Sequence, residues 1–429
     1  MRNIHNTAYD RIYYFGVWAN LWQGPQYYGL AEHGIRATVM SPLARTIIQT
    51  LTENGYQALI VGGCIRDYLC KIAPKDFDVV TNATPKQVRK LFRRSRIIGK
   101  RFQIVHVVSK DEVIEVSTFR AMESWWDKCI AKLMNKPNHV NNLHGTLVQD
   151  KQRRDFSANA LYYDVATEQI IDFTGGYRAI QQKQLEVIGE TKLRFQQDPV
   201  RAIRALRFAA KTNFTLSDSI CANLAVGLQR LPSLSADRLL VEMTKLFYQG
   251  YGQASLAMLD NYNVLAVLFP GYAGLNKQEK QAAVTFLQAL MCHADRRYQQ
   301  NKHLSVGFLL AGLLWPVLQK QARKEGIKVA LAVWIQHIKK VLRQEKKVVA
   351  ITKRLQEVVQ DIWVLQYRFA HDRLKKHLVV KHPRFHAGYD FLAIRSQVEQ
   401  DAVSAAIYWH EVDAQRRAKP QKDKQGDKA

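Results

Sequence analysis

Long apolar runs are missing from this chain. The nearest to one, Val306 to Leu318, is interrupted by Gly307, Gly312 and Pro316 and falls short of the roughly 18 to 20 apolar residues a spanning helix needs, so a soluble protein is expected. Cysteine is scarce as well. The five present (Cys64, Cys70, Cys129, Cys221, Cys292) are odd in number, scattered and without Cys-x-x-Cys spacing. That argues against a zinc site and for free thiols in a reducing cytosol. The stretch from Met1 to about Tyr28 is rich in Tyr and Trp, and it lacks the apolar core and small-residue cleavage site of a signal peptide. Acidic residues are few, 37 against 63 Lys and Arg. The net charge of +26 calls for a polyanionic partner, although charge alone does not separate RNA, DNA and an anionic membrane. With 429 residues, 47% of them hydrophobic, the chain is long enough for two or three domains with real cores, and it is not disordered as a whole.

The most informative stretch is Asp76-Phe77-Asp78, preceded by Gly62-Gly63 and Arg66-Asp67. On a strand, alternate residues share a face, so the two carboxylates would stand side by side and need a cation. Mg²⁺ suits them, because it takes one or two carboxylates and fills its remaining positions with water and substrate phosphates; Mn²⁺ is the alternative. The paired glycines let backbone approach a triphosphate closely. A lone Asp-x-Asp also occurs in solvated turns. Its context here is a buried strand (Gln57 to Val61), the glycines, a short basic helix, Pro74-Lys75, and a second strand running through Val80. Glu115 on Val113-Ile114-Glu115-Val116 is the third candidate metal ligand, since its charge would otherwise sit between β-branched neighbours; it could equally face solvent from an edge strand.

Strand, Gly-Gly, helix and acidic strand, followed by Arg153-Arg154-Asp155-Phe156-Ser157-Ala158-Asn159, resemble the class II nucleotidyltransferases of the DNA polymerase β superfamily, which carry Arg-Arg-Asp-Phe-Thr-Ile-Asn and add CCA or poly(A) to RNA. Within that class the chain is similar to the bacterial poly(A) polymerases from about residue 40 to about 400. Arg101 to Val107, Ile114 to Arg120, Asp361-Ile362-Trp363 and His382-Pro383-Arg384-Phe385 carry the similarity. The resemblance implies an α/β head followed by all-α neck, body and tail, and template-independent transfer of AMP from ATP to RNA 3′ ends in the cytoplasm. RNA and the RNA-degradation machinery would be its partners. It also implies that Gly62 and Gly63 offer N–H groups to the phosphates with Arg66 near them, or with Arg66 oriented by Asp67. Arg153 and Arg154 would be phosphate forks, and Asp155 is carried over as a catalytic-site residue with an acceptor suited to a ribose hydroxyl. In a structural alternative Arg154 and Asp155 simply pair. The family has two acids where this chain has Gln149-Asp150, which leaves Asp150 without an assigned role. The rivals are a CCA-adding enzyme and, in another class, a catalytically silent RNA-binding protein, which intact Asp76, Asp78 and Asp155 oppose.

Asp198 and Arg201 stand three apart on an expected helix and could meet a base edge together. Acceptor beside donor matches adenine and cytosine and rejects guanine and uracil, so this pair does not separate ATP from CTP. Asp198-Pro199 is also a common helix-capping pair. The family's Glu is Gln197 here. A capped helix from Thr84 carries Lys86, Arg89, Lys90 and Arg93, extended by Arg94, Arg96, Lys100 and Arg101. Lys339, Lys340, Arg343, Lys346, Lys347, Lys353 and Arg354 form a second basic segment, either a solvated face or an RNA track. The expected organisation is an unassigned extension over 1–36, a catalytic head over 37–174 with a flexible insertion at 121–148, and a helical neck over 175–270. An all-α RNA-binding body follows over 271–411, and then a disordered basic tail over 412–429.

Overall fold

The computed structural model describes residues 24–99, 103–120, 145–323 and 330–418, with side chains as far as Arg416. Lys100, Arg101, most of the expected insertion and the last eleven residues lie outside that set. The chain divides into two compact units. The first runs through Arg194 and takes in Thr212–Ala222, and the second comprises Phe195–Lys211 and everything from Asn223 on.

The first unit is built on a mixed sheet of eight strands: β1 (Gln26–Tyr28), β2 (Ala58–Val61), β3 (Asp78–Thr81), β4 (Ser95–Ile98), β5 (Ile104–Val108), β6 (Val113–Thr118), β7 (Leu161–Asp164) and β8 (Gln169–Asp172). Their order is β1-β8-β7-β2-β3-β6-β5-β4. Only β3 and β6 run parallel, which requires a crossover, and the chain supplies one through the helix Pro85–Leu91 and the β4–β5 pair. β2 is central and buried along its length, which explains its unbroken apolar sequence.

The helix Pro42–Glu53 is capped by the Ser41 hydroxyl and buries Ala44, Ile47, Ile48 and Leu51 against the sheet; Ala44 takes the place expected of Leu43. Thr84 caps Pro85–Leu91 with a reciprocal bond from Gln87, as its sequence predicts. The extension, unassigned from the sequence, contributes to the head from Gln26 on. β1 pairs with β8, Tyr28 stacks on Tyr177 at 3.9 Å, and the Tyr163 hydroxyl donates to the Ile35 carbonyl. The head also continues past 174, because Gln184–Leu185 pairs with Thr215–Leu216 and holds that later segment to the first unit.

The second unit is helical. Gly307 to Leu318, the apolar run, lies entirely buried inside the helix Val306–Arg323, where a side chain at Gly312 would meet Leu290 at 2.3 Å. No helix among the described residues is long and apolar enough to cross a membrane. Aromatic rings dominate the core, with Phe369, Phe385 and Trp409 in mutual contact. Asp361 accepts from Arg384 at 2.9 Å, which brings two separately noted motifs together. The basic segment from Lys339 rides on the helix Leu331–Glu345. Its Ile338, Val341 and Leu342 are buried, while Lys339, Lys340 and Arg343 are exposed. The tail departs from expectation: the helix Gln400–Ala418 runs through position 412, because Trp409 and Asp413 are buried and Arg416 donates to the Val380 carbonyl.

Candidate active site

Asp78 opens β3. Asp76 is exposed and precedes the strand outside any regular element, so the two carboxylates do not share a strand as their spacing suggests. They remain electrostatic neighbours: the Asp78 carboxyl is pushed up to about 6 by its burial and then by Glu115, with Arg154 opposing and Asp76 adding to the rise. Parallel pairing sets Glu115 of β6 directly beside Asp78. The same register row continues to His106 on β5 and Arg96 on β4, and in the other direction to Val61 on β2 and Tyr162 on β7. Glu115 is exposed on that row, with its Oε1 3.4 Å from His106 Nε2. Among the described residues no three His, Cys, Asp or Glu side chains converge into a cage for an ion. Asp76, Asp78 and Glu115 thus do not form a three-ligand cage; Asp78 and Glu115, paired in register, are hard oxygen donors of the kind Mg²⁺ takes one or two of while completing its shell with substrate oxygens.

Gly62 lies against Asp78. Its φ of 88° and ψ of −135° belong to glycine, and a Cβ there would stand 3.9 Å from Asp78 Oδ2 and 3.7 Å from Arg154 Nη1. Bare backbone thus lies between a carboxylate and a guanidinium. Gly63 begins the helix Gly63–Leu69, and Arg66 one turn on does not reach out to solvent: its side chain is 3% exposed. Its Nε and Nη2 donate to Asp67 Oδ1 at 3.0 and 2.6 Å, and its Nη1 donates to Asn159 Oδ1. Of the two readings of this pair, the geometry matches the one in which Asp67 orients Arg66.

The Arg-Arg-Asp segment follows the helix Leu147–Arg153, which Thr146 caps. Arg153 is half-buried at its end. Arg154 pairs with Asp150 rather than Asp155: Nε and Nη2 donate to Asp150 Oδ2 at 3.1 and 2.9 Å, and Tyr162 donates its hydroxyl to the same oxygen at 2.9 Å. The Arg120 N–H reaches Asp150 Oδ1 at 3.4 Å. Burial works against the Arg154 charge, but Tyr162 and Asp150 outweigh it and raise the pKa above the ordinary arginine value. Asp155 Oδ1 accepts from the Phe156 N–H at 2.9 Å and from Asn159 Nδ2 at 3.2 Å. The turn Ser157–Asn159 is clamped from outside, since a Cβ on Gly176 would fall 2.2 Å from the Ser157 carbonyl oxygen.

In the second unit, Asp198 precedes the helix Val200–Thr212. Its Oδ2 accepts from Arg238 Nη2 at 2.9 Å, and Oδ1 is buried without a hydrogen bond. Arg201 is half-buried one turn on. Asp150, Asn159, Tyr162, His106 and Arg238 are the residues that sequence reasoning left without a role. Only the four-residue spacings of Asp150 to Arg154 and Asp155 to Asn159 carried a readable signal.

Family models match three stretches: "Poly A polymerase head domain" at 58–186, "Probable RNA and SrmB- binding site of polymerase A" at 213–275 and "Polymerase A arginine-rich C-terminus" at 329–429. Poly(A) polymerase I of Salmonella typhimurium is 34% identical over 393 residues, spanning 89% of this chain and 84% of that one. The chain belongs to the bacterial poly(A) polymerase family. It is a nucleotidyltransferase and, within that group, a polynucleotide adenylyltransferase. The poly(A) polymerase I of Haemophilus influenzae is 32% identical, over 89% and 86% of the two chains. A CCA-adding enzyme of Staphylococcus aureus matches at 34% but over only 47% of this chain and 49% of its own. Among solved structures, the CCA-adding enzyme of Bacillus stearothermophilus in complex with CTP superposes with a TM-score of 0.61 at 24% identity, covering 88% and 83%. That of Thermotoga maritima complexed with tRNA gives 0.58 at 16% identity, covering 94% and 89%. These show a shared fold.

Proposed function

We propose that this poly(A) polymerase extends RNA 3′ ends with AMP from ATP, without a template, at the junction of β3 with the Gly62-Gly63 turn. The observation that carries the reading is the register that sets Asp78 directly beside Glu115, next to Gly62, where a side chain would come within 3.9 Å of the Asp78 carboxylate. A crowd of acids facing a turn that a triphosphate can approach needs positive charge from a ligand. Mg²⁺ or Mn²⁺ held by Asp76 and Asp78, with Glu115 beside them, would activate the RNA 3′-hydroxyl and neutralise the triphosphate.

The chain's own residues then position the reactants. Gly63 offers its N–H to the phosphates, while Gly62, whose own N–H is donated to the Leu161 carbonyl at 3.2 Å, serves by leaving the approach free of a side chain. Arg154, locked by Asp150 and Tyr162, and Arg153 next to it carry the positive charge of the phosphate side. Asp155 accepts from the ribose. Arg66 serves from beneath the turn, through Asp67 and Asn159. Asp198 and Arg201 read the Watson–Crick edge of adenine, with Arg201 donating to N1 and Asp198 accepting from the amino group, and Arg238 holds Asp198 in place. Residues 213–275 and 329–429 hold RNA, and the RNA-degradation machinery in the cytoplasm is the wider partner.

The test supplies ATP alone, then ATP with CTP, to an unstructured RNA and to a tRNA ending before CCA. Runs of A on the unstructured RNA with ATP alone are expected. Incorporation confined to the tRNA and dependent on CTP would make the protein a CCA-adding enzyme instead.

A further inference from the structure

A groove of about 930 Å³ lies wholly within the second unit, inside the size range of small-molecule sites. The helices Lys277–Gln299, Val306–Arg323, Leu331–Glu345 and Lys353–His371 all contribute to its walls. Its floor is electrically finished. Arg395, 7% exposed, lies over the Trp315 ring at 4.5 Å and donates to Glu399 Oε2 at 2.7 Å and to Gln366 Oε1 at 3.3 Å. Glu399 Oε1 accepts from Trp315 Nε1 at 2.9 Å, so the buried cation and acid satisfy each other and leave no surplus charge there for a phosphate. What the groove offers instead is ring faces. Trp315, Trp334, Tyr367 and His371 follow one another along it, with centroids 6.1, 6.2 and 4.5 Å apart. Trp334 Nε1 donates to the Trp363 carbonyl at 3.0 Å, which fixes that ring. Gln281 and Gln319 add side-chain amides that make no hydrogen bond among the described residues. Each amide sets a donor beside an acceptor, as the edge of a base requires.

Aromatic faces in a row, open amides and a neutral floor fit a planar, uncharged, hydrogen-bonding ring better than a phosphate or an aliphatic chain. Adenylyl transfer makes such a ring abundant, because every AMP added carries an adenine. We infer that the groove is a base-binding subsite for an unstacked adenine, presented by the RNA tail or by a free adenine nucleotide, with the base against Trp334 and Tyr367 and with Gln281 and Gln319 at its edge. It uses no residue of the site at β3. Stacking on aromatic faces tolerates any base, and the amides supply the pairing to adenine.

The test titrates the full-length protein with oligo(A) and with an abasic ribose-phosphate oligomer of the same length and charge. The ratio of the two dissociation constants reports base contacts and cancels phosphate contacts. Wild type is expected to prefer oligo(A). Tyr367→Ala should shrink that preference by about tenfold, and the double variant Gln281→Ala with Gln319→Ala by about threefold. Ala282→Trp fills the groove from an exposed position and removes no packed side chain, so its effect should match that of Tyr367→Ala without any loss of fold. Titration with AMP alone separates the two sources. Binding of AMP that weakens in the same variants makes the free nucleotide a ligand, and a response of oligo(A) alone makes the tail the source. If wild type does not distinguish the two oligomers, or if Ala282→Trp leaves the ratio within about twofold of wild type, the aromatic row serves helix packing only and the inference falls. AMP incorporation from ATP tests the site at β3 separately, so either reading can fail without the other.

Discussion

Two buried acids, one in each unit, show how differently the chain treats internal charge. Asp150 in the head is surrounded: one oxygen takes Arg154 and the Tyr162 hydroxyl, and the other takes the Arg120 N–H. Glu345 in the helical unit accepts one bond, from the Gly271 N–H at 2.9 Å, and its second oxygen is buried with no partner among the described residues. Burial pushes the Glu345 carboxyl up to about 7, with the Gly271 bond opposing. The acid with a cation beside it holds Arg154 in place. The other stays folded in comfortably only as a neutral group, so its contribution depends on pH.

The contrast breaks most severely at Asp76 and Asp78, the acids to which the proposed function gives the chemistry. Asp78→Ala or Asp76→Ala should abolish AMP incorporation while the thermal midpoint stays near wild type. Retention of more than about a tenth of wild-type kcat/KM in either would contradict the site, since losing a metal ligand should cost several kcal/mol. Next comes Asp150→Ala, which strands Arg154 without its carboxylate. Removing one partner of a buried pair costs about 3 to 5 kcal/mol, and the 21% exposure of Arg154 reduces this to about 2 to 3 in denaturant unfolding. The kcat/KM for ATP should fall with it, and a change in stability alone would separate Arg154 from the phosphates.

Glu345→Gln sharpens the comparison from the other side. Because the folded-state pKa is raised, the neutral acid's contribution is fully present below about 4.5, and it is lost as pH rises to about 7. Wild-type stability should therefore decline across that window. The glutamine variant, which can still accept from Gly271, should not show that decline, and at pH 8 it should gain about 1 to 2 kcal/mol with unchanged AMP incorporation. Parallel curves for the two proteins would show that Glu345 is solvated. The smallest effect belongs to the exposed charges of the same helix. Replacing Lys339, Lys340 and Arg343 with Glu should weaken RNA binding severalfold, about 1 kcal/mol, with a shallower salt dependence and the same KM for ATP. Unchanged affinity would make them a solvated face.

Where the head's structure follows from local rules, the sequence carried it. Thr84 and Gln87 make a cap, the run from Ala58 to Val61 is a central strand, and Gly62 sits where φ is positive. What stayed hidden depends on partners distant in the chain. Whether Arg66 points to a triphosphate or into the interior is decided by Asn159, 93 residues away. That Gln26–Tyr28 belongs to the sheet is decided by an unpaired edge on β8, and that the final helix passes position 412 is decided by the burial of Trp409 and Asp413. The role of Asp150 was legible in principle. The substitution of Gln149 for the family's first acid drew attention to what is missing, whereas the four-residue spacing to Arg154 already indicated a helical pair.

The register that joins β3 to β6 also restricts how this region can vary over evolutionary time. Val113, Glu115 and Ser117 face one way and Ile114, Val116 and Thr118 the other. Losing or gaining one residue between Val113 and Thr118 would exchange the two sets, turning an acid into the core and an isoleucine toward Asp78. Drift in this strand can therefore proceed by replacement but not by single-codon insertion or deletion, and length changes among descendants of this sequence should accumulate in the turns on either side of it.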